Sequence, residues 1–437
     1  MRSRRGFQGG GARNNGGILQ ALRARDASLF LAGGARRGGM GVPPSQRPLF
    51  LQEDAGQQPR PARALREMQV EPAMSDNYVR ERISWFYSRF EAPPHDVAKR
   101  EFGFGWNSKI DQRHKSFPSP KELREFLRRE SPLYASHSVA YYQIPDARPM
   151  QRKGFLGAEL AFDIDKPRTG EHGHNGLVCP VCLEAARIDA LQLQEEYLLG
   201  DFGFSHSEIT ANFSGSKGYH LHVDSESVRQ LGSDARREIV EYASEPRGEL
   251  LVEEEIRGDA REFCEERKKG VSKLLTGPGE KARGWGKKLY DEAVAALKES
   301  PLDDEKKKLA LENLKRGNYG AVKGTENIWE KALAAAKAKH ALVLDKQVTL
   351  DTARLIRLPE TIHGGTGFVA RKCNLRSFDP LTDALAFPEK TMVRVKPAKT
   401  AAFELMSRTF EVKEGVALDL PEPAAMLLLL KGYAALA

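Results

Sequence analysis

From residue 74 onward, apolar side chains recur at spacings that name secondary-structure elements. Tyr78, Ile83, Phe86, Tyr87 and Phe90 fall at helical spacing, which predicts an amphipathic first helix stopped by Pro93-Pro94. Residues 118–129 read as a second helix, begun at Ser119-Pro120, that turns Leu123, Phe126 and Leu127 inward. Residues 139–144 and 157–164 read as strands. So do 208–213 and 219–223, joined by the turn Ser214-Gly215-Ser216-Lys217-Gly218. Residues 179–200 look helical, and 226–340 mostly helical, with Lys- and Glu-rich surfaces and breaks at Gly277-Pro278-Gly279 and near Pro301. Residues 343–356 return to strand-like texture, and 424–430 read as a C-terminal core helix. No apolar run approaches the ~18 residues needed to span a bilayer.

Residues 1–73 break this pattern. They are rich in Gly, Arg, Pro and Gln, and their apolar patches are short and isolated. Such a segment cannot bury enough surface to offset its ordering entropy, so it is expected to be disordered. It reads either as a nucleic-acid-binding arm or as an extension upstream of a true start at Met74. The charge distribution sharpens the contrast. The chain carries a net +8, but residues 1–73 hold 12 Arg, no Lys and 5 acids, a net +7. The rest is close to neutral, so composition does not by itself mark the folded part as a nucleic-acid binder. With 40% hydrophobic and 29% charged residues, four cysteines and no secretory signal, the chain is expected to be a globular protein of a reducing cytoplasm.

Three segments carry candidate chemistry. In the strand Leu160-Ala161-Phe162-Asp163-Ile164-Asp165, the two acids share one face while Phe162 and Ile164 pack behind. Paired carboxylates repel unless a divalent cation neutralises them, and magnesium binds through such hard oxygens together with substrate phosphates. The motif alone would equally suit two exposed acids at a strand end. The turn 214–218 offers two glycines, the Ser214 hydroxyl and Lys217 to a phosphate, and His220 and His222 share a face of the next strand. An ordinary hairpin with two surface histidines is the plain alternative. The third segment, 345–367, supplies Asp345 and Asp351 as candidate third carboxylates, with Arg354, Arg357, His363 and a glycine-rich turn. Either arginine could instead pair structurally with acids across the fold.

A different metal site is suggested by His172-Gly173-His174 followed by Cys179-Pro180-Val181-Cys182. Two histidines and two cysteines in so short a stretch suit tetrahedral zinc in a closed, structural site. A redox Cys-x-x-Cys pair is the alternative. Cys264 and Cys373 read as packing residues.

In their order and joint presence, four blocks resemble the archaeal and eukaryotic primase small subunit, of the archaeo-eukaryotic primase superfamily. They are Arg100-Glu101-Phe102-Gly103-Phe104 with Arg113-His114-Lys115-Ser116-Phe117, then residues 159–165, 213–223 and 345–363. The resemblance covers about residue 74 to the C-terminus. It implies a mixed α/β (α+β) catalytic core of two sheets flanked by helices, a zinc knuckle at about 171–183 and a helical subdomain at about 225–340. It also implies a DNA-directed nucleotidyltransferase that makes short primers on single-stranded DNA from NTPs or dNTPs, with Mg²⁺ or Mn²⁺ as catalytic and Zn²⁺ as structural metal. A large subunit carrying an iron–sulfur cluster would be its partner. Asp163, Asp165 and Asp345 match the catalytic acids, which leaves Asp351 as a turn or capping residue. Ser214, Gly215, Lys217, His220, Arg357 and His363 match the nucleotide-binding positions, and His172, His174, Cys179 and Cys182 the zinc ligands. Trp106, Arg113 and Lys115 are candidates for the template groove. Ser216 replaces a basic residue of the family pattern, and the zinc set has two histidines where three cysteines and one histidine are common. An end-joining repair polymerase of the same superfamily, or a non-catalytic zinc-containing nucleic-acid-binding protein, are the rival readings.

Overall fold

The computed structural model describes residues 72–437 apart from 92, 107–109, 166–176, 247 and 259–269. The expected extension therefore lies almost wholly outside the described residues, as do His172, His174 and Cys264. Helix α1 (Pro72–Tyr87) leads into β1 (Phe102–Gly105) and β2 (Gln112–Lys115). Next come α2 (Pro120–Glu130), capped by Ser119 accepting from the Glu122 amide, and β3 (Tyr134–Ser138). The hairpin β4 (Ala140–Tyr142) and β5 (Phe155–Ala158) precedes β6 (Leu160–Asp165). Helix α3 (Pro180–Gln192) continues as π-helix through Leu193–Asp201. It is followed by β7 (Ile209–Phe213), β8 (Gly218–Val223) and α4 (Ser233–Ser244).

Residues 226–340, expected to be mostly helical, include an antiparallel hairpin of β9 (Val252–Gly258) and β10 (Gly270–Thr276) ahead of α5 (Gly284–Glu299), α6 (Asp304–Lys315) and α7 (Glu326–His340). These three helices close their own small core around Leu289, Leu314, Tyr319 and Trp329. The strand expectation for 343–356 also needs correction. Asp345 caps a short helix, α8 (Lys346–Leu350), and only β11 (Leu355–Arg357) is extended. Near the C-terminus, β12 (Met392–Pro397), β13 (Ala401–Leu405), β14 (Arg408–Val412), β15 (Leu418–Pro421) and β16 (Ala434–Leu436) surround the expected core helix, α9 (Glu422–Leu430).

Two antiparallel sheets frame the site. One has the order β11-β3-β1-β2, the other β6-β8-β7. The small sheets β15-β12-β16, β13-β14, β4-β5 and β10-β9 are additional to the two expected. In β6 and β8 the period of two divides the residues cleanly. Leu160, Phe162, Ile164, Tyr219, Leu221 and Val223 join one core with Leu183, Ala186 and Ala190 of α3. The opposite faces are left with Asp163, Asp165, His220 and His222. The first sheet packs Phe102 and Phe104 against Leu123 and Leu127 of α2. The two chain regions are then tied by Glu422, fully buried, which accepts from Arg82 Nε (2.5 Å) and Nη2 (2.9 Å) and from the Tyr78 hydroxyl (3.1 Å). No helix among the described residues is long and apolar enough to cross a membrane.

Candidate active site

The carboxylate cluster is made by the free edge of β6. On its inner side β6 pairs with β8, setting Asp163 opposite His220 and Asp165 opposite Gly218. On its outer side the Asp345 N–H donates to the Asp163 carbonyl at 3.3 Å, and the Thr349 hydroxyl to the Ala161 carbonyl at 2.7 Å. Helix α8 thus docks where a fourth strand would lie, and its N-cap residue arrives beside the Asp163/Asp165 pair. Asp351, by contrast, accepts from the Ala353 N–H at 2.9 Å, a turn role.

The chain then crosses to the other sheet. Leu355, Ile356 and Arg357 pair with Ser138, His137 and Ser136 of β3, which brings Arg357 to the facing wall. Between the walls lies a cavity of about 550 Å³. Asp163, Asp165, Ser214, Lys217, His220, Arg357 and His363 all line it. Arg354, offered by the third segment without a matched role, lines it too, as do Ser136, Ser216 and Ile110.

The turn after β7 holds its shape through Ser214. Its N–H donates to the Gly218 carbonyl (2.9 Å), while its Oγ accepts from the amides of Gly218 (3.2 Å) and Ser216 (3.4 Å). With those lone pairs engaged, the hydroxyl proton is the group Ser214 has left to give. Gly215 sits at φ 83°, and a Cβ there would lie 2.7 Å from the His363 Cβ. The Thr366 hydroxyl bonds the Gly215 carbonyl at 2.5 Å, coupling this turn to the glycine-rich turn 363–367. In that second turn His363 Nδ1 accepts from the Gly365 N–H at 3.2 Å, so the ring proton resides on Nε2.

Burial first, then the neighbouring charges of Asp165 and Asp345, push the Asp163 carboxyl up to about 7, against the opposing pull of Arg354 and Lys217. Asp163 Oδ1 is buried and receives no hydrogen bond, and His220 Nε2 stands 3.5 Å away, within ion-pair range but without bonding geometry. Burial, with His222 and Arg357 nearby, drops His220 to about 3, so it is neutral. Asp165 meets Lys217 Nζ at 2.8 Å, and Asp345 meets Arg354 Nη2 at 3.4 Å. Arg357 lies over the Tyr134 ring, 5.3 Å from its centroid, and its Nη1 has no hydrogen-bond acceptor. Burial lowers its guanidinium to about 10, still charged at neutral pH.

Among the described residues, no three His, Cys, Asp or Glu side chains stand grouped to hold a metal ion. Asp345 is turned to its own helix, accepting from the Gln347 N–H at 3.0 Å, and Asp165 to Lys217. The donor set nevertheless suits a hard divalent cation: clustered carboxylate oxygens, one of them buried and unbonded, with Asp163 pushed towards protonation by burial and by its neighbouring carboxylates. Of the expected zinc ligands, Cys179 and Cys182 open α3 and line a small cleft together with Ser216 and Lys217.

Behind the cavity runs a buried polar network that sequence reasoning left without roles. Arg100 bonds Glu159 through Nη1 (3.2 Å) and Nη2 (3.3 Å), the Ser138 carbonyl (2.6 Å) and the Tyr141 hydroxyl (2.8 Å). His222 Nδ1 meets Glu159 Oε1 at 3.1 Å. Both Arg100 and Glu159 fall within the motif blocks, and that membership was the available signal. Two of the three template candidates make hydrogen bonds within the fold. Trp106 Nε1 donates to the Glu130 carbonyl at 2.7 Å, and Arg113 is held by Glu101 (2.8 Å) and the Ala353 carbonyl. Lys115 is half-buried beside them.

The sequence profile of the DNA primase small subunit family matches residues 162–375, the stretch that holds the whole cavity except its Ile110 and Ser136 wall. A protein of Methanothrix thermoacetophila named DNA primase small subunit PriS is 34% identical over 406 residues, spanning 82% of this chain and 98% of the relative. Proteins of the same name from Methanocella arvoryzae and Halobacterium salinarum are 33% and 32% identical, each spanning 82% of this chain and 97% of the relative. With such likeness along nearly the full length of these relatives, the chain belongs to the DNA primase small subunit family, in its archaeal form.

Proposed function

We propose that this chain is the catalytic subunit of a primase, joining nucleotides on a single-stranded DNA template by metal-assisted nucleotidyl transfer from NTPs or dNTPs. One observation carries the reading: a single cavity gathers the acids Asp163 and Asp165 with an anion-binding set of Ser214, Lys217, Arg357 and His363, and Asp345 is bonded through its backbone N–H to Asp163 beside it.

The division of labour follows from the donors. Arg357 holds a charge with an unused N–H, and Lys217 and Arg354 line the same cavity, so an entering triphosphate has three cations to meet. Ser214 gives its hydroxyl proton to orient phosphate oxygens, and the His363 ring lines the cavity beside it. His220, neutral, lies beside Asp163. Mg²⁺ or Mn²⁺, held by Asp163, Asp165 and Asp345, would supply Lewis-acid charge at the attacking and leaving oxygens. Cys179 and Cys182, with His172 and His174, are the proposed holders of a structural Zn²⁺ beside the phosphate turn. A large subunit and the template are the proposed partners.

The test is primer synthesis on unprimed single-stranded DNA with Mg²⁺ or Mn²⁺, comparing wild type with the Asp163→Ala/Asp165→Ala double variant. Wild type should yield short products and the variant none. Equal product from both would overturn the assignment. If neither is active alone, the comparison is repeated with the large subunit added, where only wild type should respond.

A further inference from the structure

Arg354, on the cavity wall, differs from the arginines that hold the fold. Arg100 grips Glu159 with two nitrogens in the interior, and Arg82 forks Glu422. Arg354 reaches Asp345 through one nitrogen at 3.4 Å, with both side chains 42% exposed. A lone, half-exposed contact of that length is screened by water and easily surrendered. The backbone beneath it is fixed. The Arg354 N–H donates to the Asp351 carbonyl at 3.1 Å, and Arg113 bonds the Ala353 carbonyl just before β11 begins. A rigid turn therefore carries a loosely engaged guanidinium on the cavity wall.

We infer that Arg354 is a transferable counter-ion: it holds the Asp345 carboxylate while the cavity lacks nucleotide, and passes to the triphosphate oxygens when one enters. This deepens the nucleotidyl-transfer reading and rests on it. Phosphate oxygens give a planar guanidinium a better, two-pronged partner than one carboxylate oxygen. Once released, Asp345 faces the divalent cation that accompanies the triphosphate. Arg354 thus competes with a bare cation for Asp345 but cooperates with one that arrives with nucleotide. Removing it should shift the two affinities in opposite directions, which loss of structure would not do.

The experiment titrates Mn²⁺ into the full chain, following free Mn²⁺ by electron paramagnetic resonance, without nucleotide and then with a non-hydrolysable nucleoside triphosphate. Wild type, Arg354→Ala, Arg354→Lys and Asp345→Asn are compared. For Arg354→Ala, Mn²⁺ alone should bind roughly two- to fivefold more tightly, the factor set by losing a half-exposed ion pair. The triphosphate should bind about tenfold or more weakly, as for a lost charge-assisted hydrogen bond. Arg354→Lys should restore both in part. Unchanged or weakened Mn²⁺ binding by Arg354→Ala, while Asp345→Asn abolishes it in the same series, would overturn the counter-ion role alone. Mn²⁺ binding by wild type that Asp345→Asn leaves untouched would overturn the underlying site as well.

Discussion

Asp163 and Asp345, 182 positions apart in the chain, are joined through the backbone, the N–H of the second donating to the carbonyl of the first at 3.3 Å. That bond seats the N-cap of a short helix on the open edge of β6, and so delivers a third carboxylate to a strand that already carries two. The charge is concentrated where water is scarce. Burial, then Asp165 and Asp345, raise the Asp163 carboxyl from 3.8 to about 7.

This relationship sets a pH dependence. A carboxyl whose folded value lies above its unfolded one contributes stability that is whole below about pH 4 and is lost as pH climbs through 7. Asp163→Asn keeps the shape and removes the titration. In divalent-free buffer, urea unfolding should show the variant gaining on wild type by about 1 to 3 kcal/mol between pH 5 and pH 8. A gap that stays constant across that range would mean Asp163 ionises in the fold as it does in the open chain.

The contact between Gly218 and Asp165 yields a second prediction. A Cβ at 218 would lie 2.2 Å from both Asp165 Oδ1 and the Ile164 carbonyl, so β6 and β8 must part where the carboxylates sit. Gly218→Ala should cost about 2 to 3 kcal/mol in thermal or urea unfolding and abolish primer synthesis. Gly203 is the control. It has a φ of 75° but nothing within 4 Å of its Cβ position, and its alanine variant should lose only about 1 kcal/mol, with activity retained.

The contrast between these positions shows what the sequence could reveal. The Asp163/Asp165 face was legible because a strand repeats every two residues and Phe162 and Ile164 had to go the other way. Asp345 was legible as a candidate acid but not as a cap. Val343, Leu344, Val348 and Leu350 look strand-like, and what decides for helix is the edge of β6, 182 residues upstream. The hairpin β9–β10 was hidden by its run of glutamates, which reads like a solvated helix face. In β12 the alternation Met392-Val393-Arg394-Val395-Lys396 with buried Val393 and Val395 was a readable strand signal that went unused. The burial of Arg100 against Glu159 has no local signature at all. Charged residues are assigned to the surface until a partner 59 positions away is known.

That buried pair carries its own consequence. Although burial alone would push the Glu159 carboxyl up, Arg100 and His222 hold it far below the usual carboxylate range. The sign is therefore opposite to that of Asp163: the contribution is present above about pH 4.5 and is lost on acidification towards the lowered folded value. Glu159→Gln keeps the volume but strands a buried guanidinium, and should cost about 3 kcal/mol or more at pH 7. Its deficit relative to wild type should shrink as unfolding is measured from pH 5 down to pH 3. Adding Arg100→Met to Glu159→Gln should recover part of the loss, and a purely additive double variant would refute the pairing.

The last prediction concerns Cys179 and Cys182. They sit at the start of α3 and line one cleft with Ser216 and Lys217, so whatever fixes the two thiols also fixes the far side of the turn 214–218. If they bind zinc with His172 and His174, purified protein should contain about one zinc per chain by plasma mass spectrometry, with thiolates as ligands. Cys179→Ser and Cys182→Ser should each lose it and melt at lower temperature. Because Ser214 and Gly215 stay anchored through Gly218 and Thr366, the damage should fall on the Ser216–Lys217 side of the pocket. KM for nucleotide should then rise several-fold while kcat changes less. Full zinc content in both serine variants would place the metal elsewhere. An unchanged KM in zinc-free variants would separate the proposed zinc site from the proposed nucleotide site.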